Sequence, residues 1–166
     1  VLIQGQEGTS VELDLGGYQF PEMEALGPHF DHDANWLRVR GKVFDGAQSW
    51  SFEDPCLMTT EAAELALWLR GIVDGVVEPD AQTGVGGASF VEPNVSAKLD
   101  ARTDATVTIV WYFSQESSPP GAVEDIRYGD GQPVRTTVPP RTLTAAIEDW
   151  EAQLRRFPVR GAAPLG

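Results

Sequence analysis

The stretch Val95-Ser96-Ala97-Lys98-Leu99-Asp100, followed by a turn at Thr103-Asp104 and then by Val107-Thr108-Ile109-Val110-Trp111-Tyr112-Phe113, decides the fold class. Side chains two apart on a strand share a face, so Val95, Ala97 and Leu99 form one apolar face and Val107, Ile109, Trp111 and Phe113 another. The pair predicts an antiparallel hairpin with one side buried. Upstream the same period recurs. Val11, Leu13 and Leu15 alternate with Glu12 and Asp14, and Glu7-Gly8 turns the chain out of Val1-Leu2-Ile3. Leu37, Val39 and Val43 alternate with Arg38, Arg40 and Lys42, and Asp45-Gly46 returns the chain toward Trp50-Ser51-Phe52. Pro55 lacks the ladder donor and is expected to end that strand.

Two segments change to a helical period. Leu65, Trp68, Leu69 and Ile72 fall on one stripe, which predicts a helix from about Glu61 to Val73, capped by Thr59 or Thr60 and stopped at Gly75. Leu143, Ile147, Trp150, Leu154 and Phe157 mark a second helix, with Thr142 as its expected cap and Pro158 as its end. Residues 76–88 and 115–133 read as loops, the second with Asp125-Ile126-Arg127-Tyr128 as its one cohesive patch. Gly84, Gly86 and Gly87 lack the lysine and flanking elements of a phosphate loop. The expected architecture is α+β: a twisted, mainly antiparallel sheet of hairpins with both amphipathic helices packed on one face. A single domain should cover residues 1–160, with 161–166 as a tail.

Composition narrows the function classes. With 166 residues the chain is long enough for one core without metal or disulfide staples, and Cys56 is its only cysteine. The 25 acidic against 12 basic residues leave a formal net charge of −13, which disfavours nucleic acid and anionic membranes as partners. Such a field either steers a basic protein toward the surface or simply keeps the chain in solution. No apolar run reaches membrane-spanning length and no secretory pattern opens the chain, so a cytoplasmic location is expected.

Five strings pair aromatic anchors with polar residues beside turns: Tyr18-Gln19-Phe20-Pro21, Asp33-Ala34-Asn35-Trp36-Leu37, Trp50-Ser51-Phe52-Glu53-Asp54-Pro55-Cys56-Leu57, Phe90-Val91-Glu92-Pro93-Asn94, and the C-terminal Leu154-Arg155-Arg156-Phe157-Pro158-Val159-Arg160. In this order, from about Val11 to Arg160, they make the chain resemble the WapI-type immunity proteins of bacterial contact-dependent toxin systems. The resemblance implies a stoichiometric, non-catalytic inhibitor of a cognate toxin and brings no catalytic residue and no cofactor; the acidic charge adds the expectation that the toxin is basic and nuclease-like. The alternative is an acidic binding or scaffold module of the same fold with a housekeeping partner.

Candidate chemistry is sparse. His29, Asp31, His32 and Asp33 are metal-ligating types, but on a loop they lack the fixed geometry of a helical pair, and the bland reading has Asn35 or Asp33 fixing a turn through backbone amides. Glu53-Asp54 and Glu92 are carboxylates beside turns, suited to acid-base roles if close together and otherwise to capping. No serine or Cys56 sits in a nucleophile motif. Trp36 and Trp50, with Tyr18 and Phe20, are the aromatics that an open sheet face would present as binding anchors. The partner-binding candidates are therefore Asp31, Asp33, Trp36, Glu53, Asp54 and Glu92, with no catalytic or metal residue.

Overall fold

In the computed structural model, which describes residues 1–24, 31–79, 87–122 and 131–161, the architecture is α+β. Each hairpin forms with its expected apolar face inward. The strands divide into two four-stranded antiparallel sheets. The first holds β1 (Leu2–Gln4), β2 (Ser10–Tyr18), β3 (Trp36–Phe44) and β4 (Ser49–Met58) in chain order. The second holds β5 (Gly87–Ala88), β6 (Val95–Arg102), β7 (Val107–Phe113) and β8 (Gln132–Val138), also in chain order. Every pairing joins sequential strands. The break falls where β4 runs straight into helix α2 (Thr59–Val73), which carries the chain away from the β4 edge before the next strand can pair.

One core joins the sheets and helices. Val11, Leu13, Leu37 and Val39 of the first sheet, Leu99, Ile109, Trp111 and Phe113 of the second, Leu65, Leu69 and Ile72 of α2, and Leu143, Ile147 and Trp150 of α3 (Pro140–Leu154) belong to a single buried cluster. The turn between β1 and β2 closes the outer edge of β8. Gln6 N–H donates to the Thr137 carbonyl at 2.9 Å, the Glu7 carboxylate accepts from Thr137 N–H at 2.9 Å, and Thr9 Oγ1 donates to the Arg135 carbonyl at 2.5 Å. Edge groups that invite aggregation are thereby used to tie one sheet to the other.

Three local expectations change. Pro55 does not end β4: the register against β3 moves from Leu37↔Leu57 to Val39↔Asp54, so β4 has one extra residue there, and a bulge is where a strand tolerates proline. Neither threonine of the Thr59-Thr60 pair caps α2; the helix starts at Thr59, and the Glu61 carboxylate accepts from the Met58 N–H at 2.8 Å. Helix α3 starts at Pro140 rather than after Thr142, because proline at the first helical position loses no hydrogen bond. Within the expected 115–133 loop, Gln115–Ser117 forms a 3-10 turn, whereas the 125–128 patch, Gly84 and Gly86 lie outside the described residues. Among the described residues no helix is long and apolar enough to cross a membrane.

The outer face of the first sheet carries charge pairs. Glu12 and Lys42 meet at 3.1 Å and Arg40 and Glu53 at 3.0 Å. Trp50, one of the aromatics an open sheet face would have presented, is buried, edge-on to Phe113 with centroids 5.7 Å apart, its indole N–H donating to the Ser117 carbonyl at 2.8 Å. The inner-face neighbour of Trp50 is Phe52, whose ring covers Gly41 so closely that a Cβ there would lie 2.0 Å from it.

Candidate functional site

Alternation along β4 sends Trp50 and Phe52 inward, and it sends Asp54 the same way. A carboxylate in a core register costs stability unless it is satisfied, so its surroundings matter. Asn94, ahead of β6, donates from Nδ2 to Asp54 Oδ2 at 2.8 Å and to Glu116 Oε2 at 3.1 Å. The 3-10 turn that carries Glu116 is fastened to the same segment. Ser114 N–H donates to the Asn94 carbonyl at 3.0 Å, the Ser117 hydroxyl donates to that carbonyl too, and the Ser114 hydroxyl donates to the Pro93 carbonyl.

These segments frame a groove of about 290 Å³ lined by Gln19, Trp36, Asp54, Pro55, Glu92, Asn94, Gln115 and Glu116. Gln115 at its rim has φ of 50°, the left-handed region, where it is the one non-glycine among the described residues. Such backbone outliers collect at functional sites. Burial and the neighbouring carboxylates of Glu116 and Glu92 push the Asp54 carboxyl above the ordinary aspartate range, against the Asn94 hydrogen bond. The folded state therefore holds a proton on Asp54 more tightly than the unfolded chain does. This contribution to stability is present below the unfolded pKa, about 3.9, and is lost as pH rises through the folded pKa. Asp54→Asn, which keeps an acceptor for Asn94, is expected to raise the urea midpoint at neutral pH, with the gain shrinking on acidification toward the ordinary aspartate pKa; midpoints measured across that window check it.

A second cluster adjoins the first. Asn35, fully buried, donates from Nδ2 to the Arg160 carbonyl at 2.8 Å and accepts at Oδ1 from Arg160 N–H and Thr59 Oγ1, both at 2.9 Å. The Arg160 guanidinium lies 3.5 Å from the Tyr18 ring centroid and donates to the carbonyls of Phe20 at 2.8 Å, Pro21 at 3.0 Å and Met23 at 2.7 Å. Asn35 thus binds backbone as expected, but only its Nδ2 bond to the Asp31 carbonyl at 2.7 Å is local; the amide it accepts from belongs to Arg160, 125 residues away, rather than to the turn. Helix α1 (His32–Asn35) sets up this contact, with Asp31 as its cap through an Ala34 N–H···Oδ1 bond of 3.3 Å.

The sequence candidates separate accordingly. Trp36, Asp54 and Glu92 line one groove. Asp31 is engaged in capping, Asp33 is exposed on α1, and Glu53 faces the opposite way, paired with Arg40. Sequence reading missed Gln115 and Glu116, and it quoted Gln19 and Asn94 within motif strings without selecting them as contact residues. The signal for Asp54 and its partners was available in the Trp50, Phe52, Asp54 alternation, which places a carboxylate where an apolar residue belongs; Glu116 lies in a segment without period. His29 lies outside the described residues, and the His32 Nδ1 sits 3.3 Å from the Met58 sulfur. Among the described residues no three His, Cys, Asp or Glu side chains are grouped to hold a metal ion. Cys56 is buried, and desolvation with the nearby Asp54 charge raises its thiol pKa far above the usual range.

All five motif strings therefore meet at one end of the molecule: the first four supply groove residues, and the fifth, through Arg160, holds Tyr18, Phe20, Pro21 and Asn35 in place. A search of curated proteins finds no match. The family model of the immunity protein WapI-like family matches residues 2–158, nearly the whole chain. The chain belongs to the immunity protein WapI-like family.

Proposed function

We infer that this chain binds a cognate toxin domain and neutralises it stoichiometrically, by covering it rather than by modifying it. The family match carries the reading, and the convergence of the motif strings on one acidic groove supports that end of the molecule as the contact surface. Asp54, Glu92 and Trp36 contribute to the contact from the groove. Asp31 and Asp33 extend the acidic surface beside it on α1, and Glu53 adds only to the long-range field. A basic, nuclease-like toxin fits the formal net charge of −13, since opposite charge accelerates encounter while desolvated contacts slow escape.

The expected kinetic signature is an association rate that falls by roughly tenfold or more as salt screens the field, with a dissociation rate that changes little. Stopped-flow mixing with the cognate toxin domain measures both rates. A salt-independent association rate would remove the electrostatic part of the reading.

A further inference from the structure

We propose that the groove is a receptor for one guanidinium group, an arginine side chain presented by the partner protein. The identification of the partner rests on the toxin-binding reading, whereas the chemistry of the groove stands on its own geometry. Asp54, Glu92 and Glu116 line the groove, and none of them enters an ion pair found among the described residues. Asn94 supplies a separate observation. It is 2% exposed, it forms part of the groove wall, its Nδ2 donates to Asp54 and Glu116, and its carbonyl Oδ1 has no hydrogen-bond partner among the described residues. A buried acceptor without a donor, next to carboxylates that have spare lone pairs, calls for a ligand rich in N–H groups.

The chemistry selects among cations. A metal ion does not suit these residues, because no three of the described His, Cys, Asp or Glu side chains are grouped to hold one. A guanidinium offers five N–H donors in a flat fork and stacks on aromatic faces, whereas an ammonium offers three donors around a point charge. The half-buried Trp36 indole lines the same groove and provides the aromatic surface. The chain itself shows how such a site is filled. Arg160 lies against Tyr18 and donates to three backbone carbonyls. The groove assembles the same parts, an aromatic ring and converging oxygens, with carboxylates in place of carbonyls.

The test uses the full chain with N-acetyl-arginine amide as probe, and the lysine and citrulline analogues for comparison, followed by NMR at the Trp36 indole N–H and the Asn94 side-chain amide. The arginine probe should shift both signals saturably with a dissociation constant of about millimolar, the lysine probe should bind severalfold more weakly, and neutral citrulline should leave both unmoved. Asp54→Asn with Glu116→Gln should weaken the arginine response about tenfold, as should Trp36→Leu, which leaves the carboxylates in place. Equal, unsaturable responses to arginine and lysine, or none, would overturn the proposal. Binding of the cognate toxin domain is measured on the same variants. Toxin affinity unchanged in Asp54→Asn/Glu116→Gln overturns the arginine receptor and leaves the immunity reading intact, while saturable arginine binding without toxin binding does the reverse.

Discussion

Replacing Trp150 with alanine is expected to lower the free energy of unfolding by about 3–5 kcal/mol, the cost of removing a large aromatic from a packed core. Trp150 has no exposed surface, lies on the buried stripe of α3, and donates its indole N–H to the Ala62 carbonyl of α2 at 2.8 Å. The substitution removes the volume that holds the helices together and leaves that carbonyl with one partner fewer. Outside the core the helices are joined by Arg70, whose Nε and Nη2 donate to the two Glu151 oxygens at 2.5 and 2.6 Å, a partly exposed contact that offsets little of the loss. Urea unfolding of the parent and variant measures the difference. Trp68→Ala should cost less, because Trp68 packs against the core but is only partly buried. An unchanged midpoint for Trp150→Ala would mean that α3 is not seated as described.

The second large effect concerns binding. Reversing Asp54 and Glu116 together to lysine should weaken the complex with the cognate toxin domain by about 2–5 kcal/mol, roughly 30-fold to several-thousand-fold, since like charge replaces attraction in a desolvated contact. Glu53→Lys is the single-reversal control. It changes charge one residue away from Asp54 in sequence, but Glu53 is exposed and paired with Arg40 on the other face of the first sheet, so its effect should stay within about 1 kcal/mol. Calorimetric titration of the three proteins compares them. A loss from Glu53→Lys half as large as that from the groove variant, in step with its half-sized charge change, would show that net charge alone matters and that the groove is not the contact.

Strand faces were legible in the sequence because a period of two is a local property: Val95 to Leu99, Val107 to Phe113 and Trp36 to Phe44 bury the residues that alternation selects. The division into two sheets was not legible, because alternation assigns a face to each strand and says nothing about which edges remain unpaired. Pro55 misled for a related reason. The rule that proline ends a strand competes with the rule that proline sits in bulges, and the apolar run Cys56-Leu57-Met58 immediately after it favoured the second.

The site was half legible. Trp36, Asp54 and Glu92 stood out as polar or aromatic residues beside turns, and the structure places all three on one groove. Asn94 was visible as part of a motif, but its bonds to Asp54 and Glu116 span 40 and 22 residues, a separation no local pattern encodes. Arg160 likewise acts at long range, crossing the molecule to Tyr18 and Asn35. Charge counting also could not separate Glu53 from Asp54, since composition cannot tell a carboxylate in a groove from one paired with Arg40 on the other face of the sheet.

Titrating the purified cognate toxin domain with increasing amounts of the chain, and reading residual toxin activity alongside the intact mass of the toxin, distinguishes neutralisation by binding from modification. Activity should fall in proportion to added chain and vanish at one equivalent, with the mass of the toxin unchanged and activity restored when the complex is dissociated. Inactivation by a small fraction of an equivalent, a covalent change in the toxin, or full activity in the presence of excess chain would contradict neutralisation by stoichiometric binding.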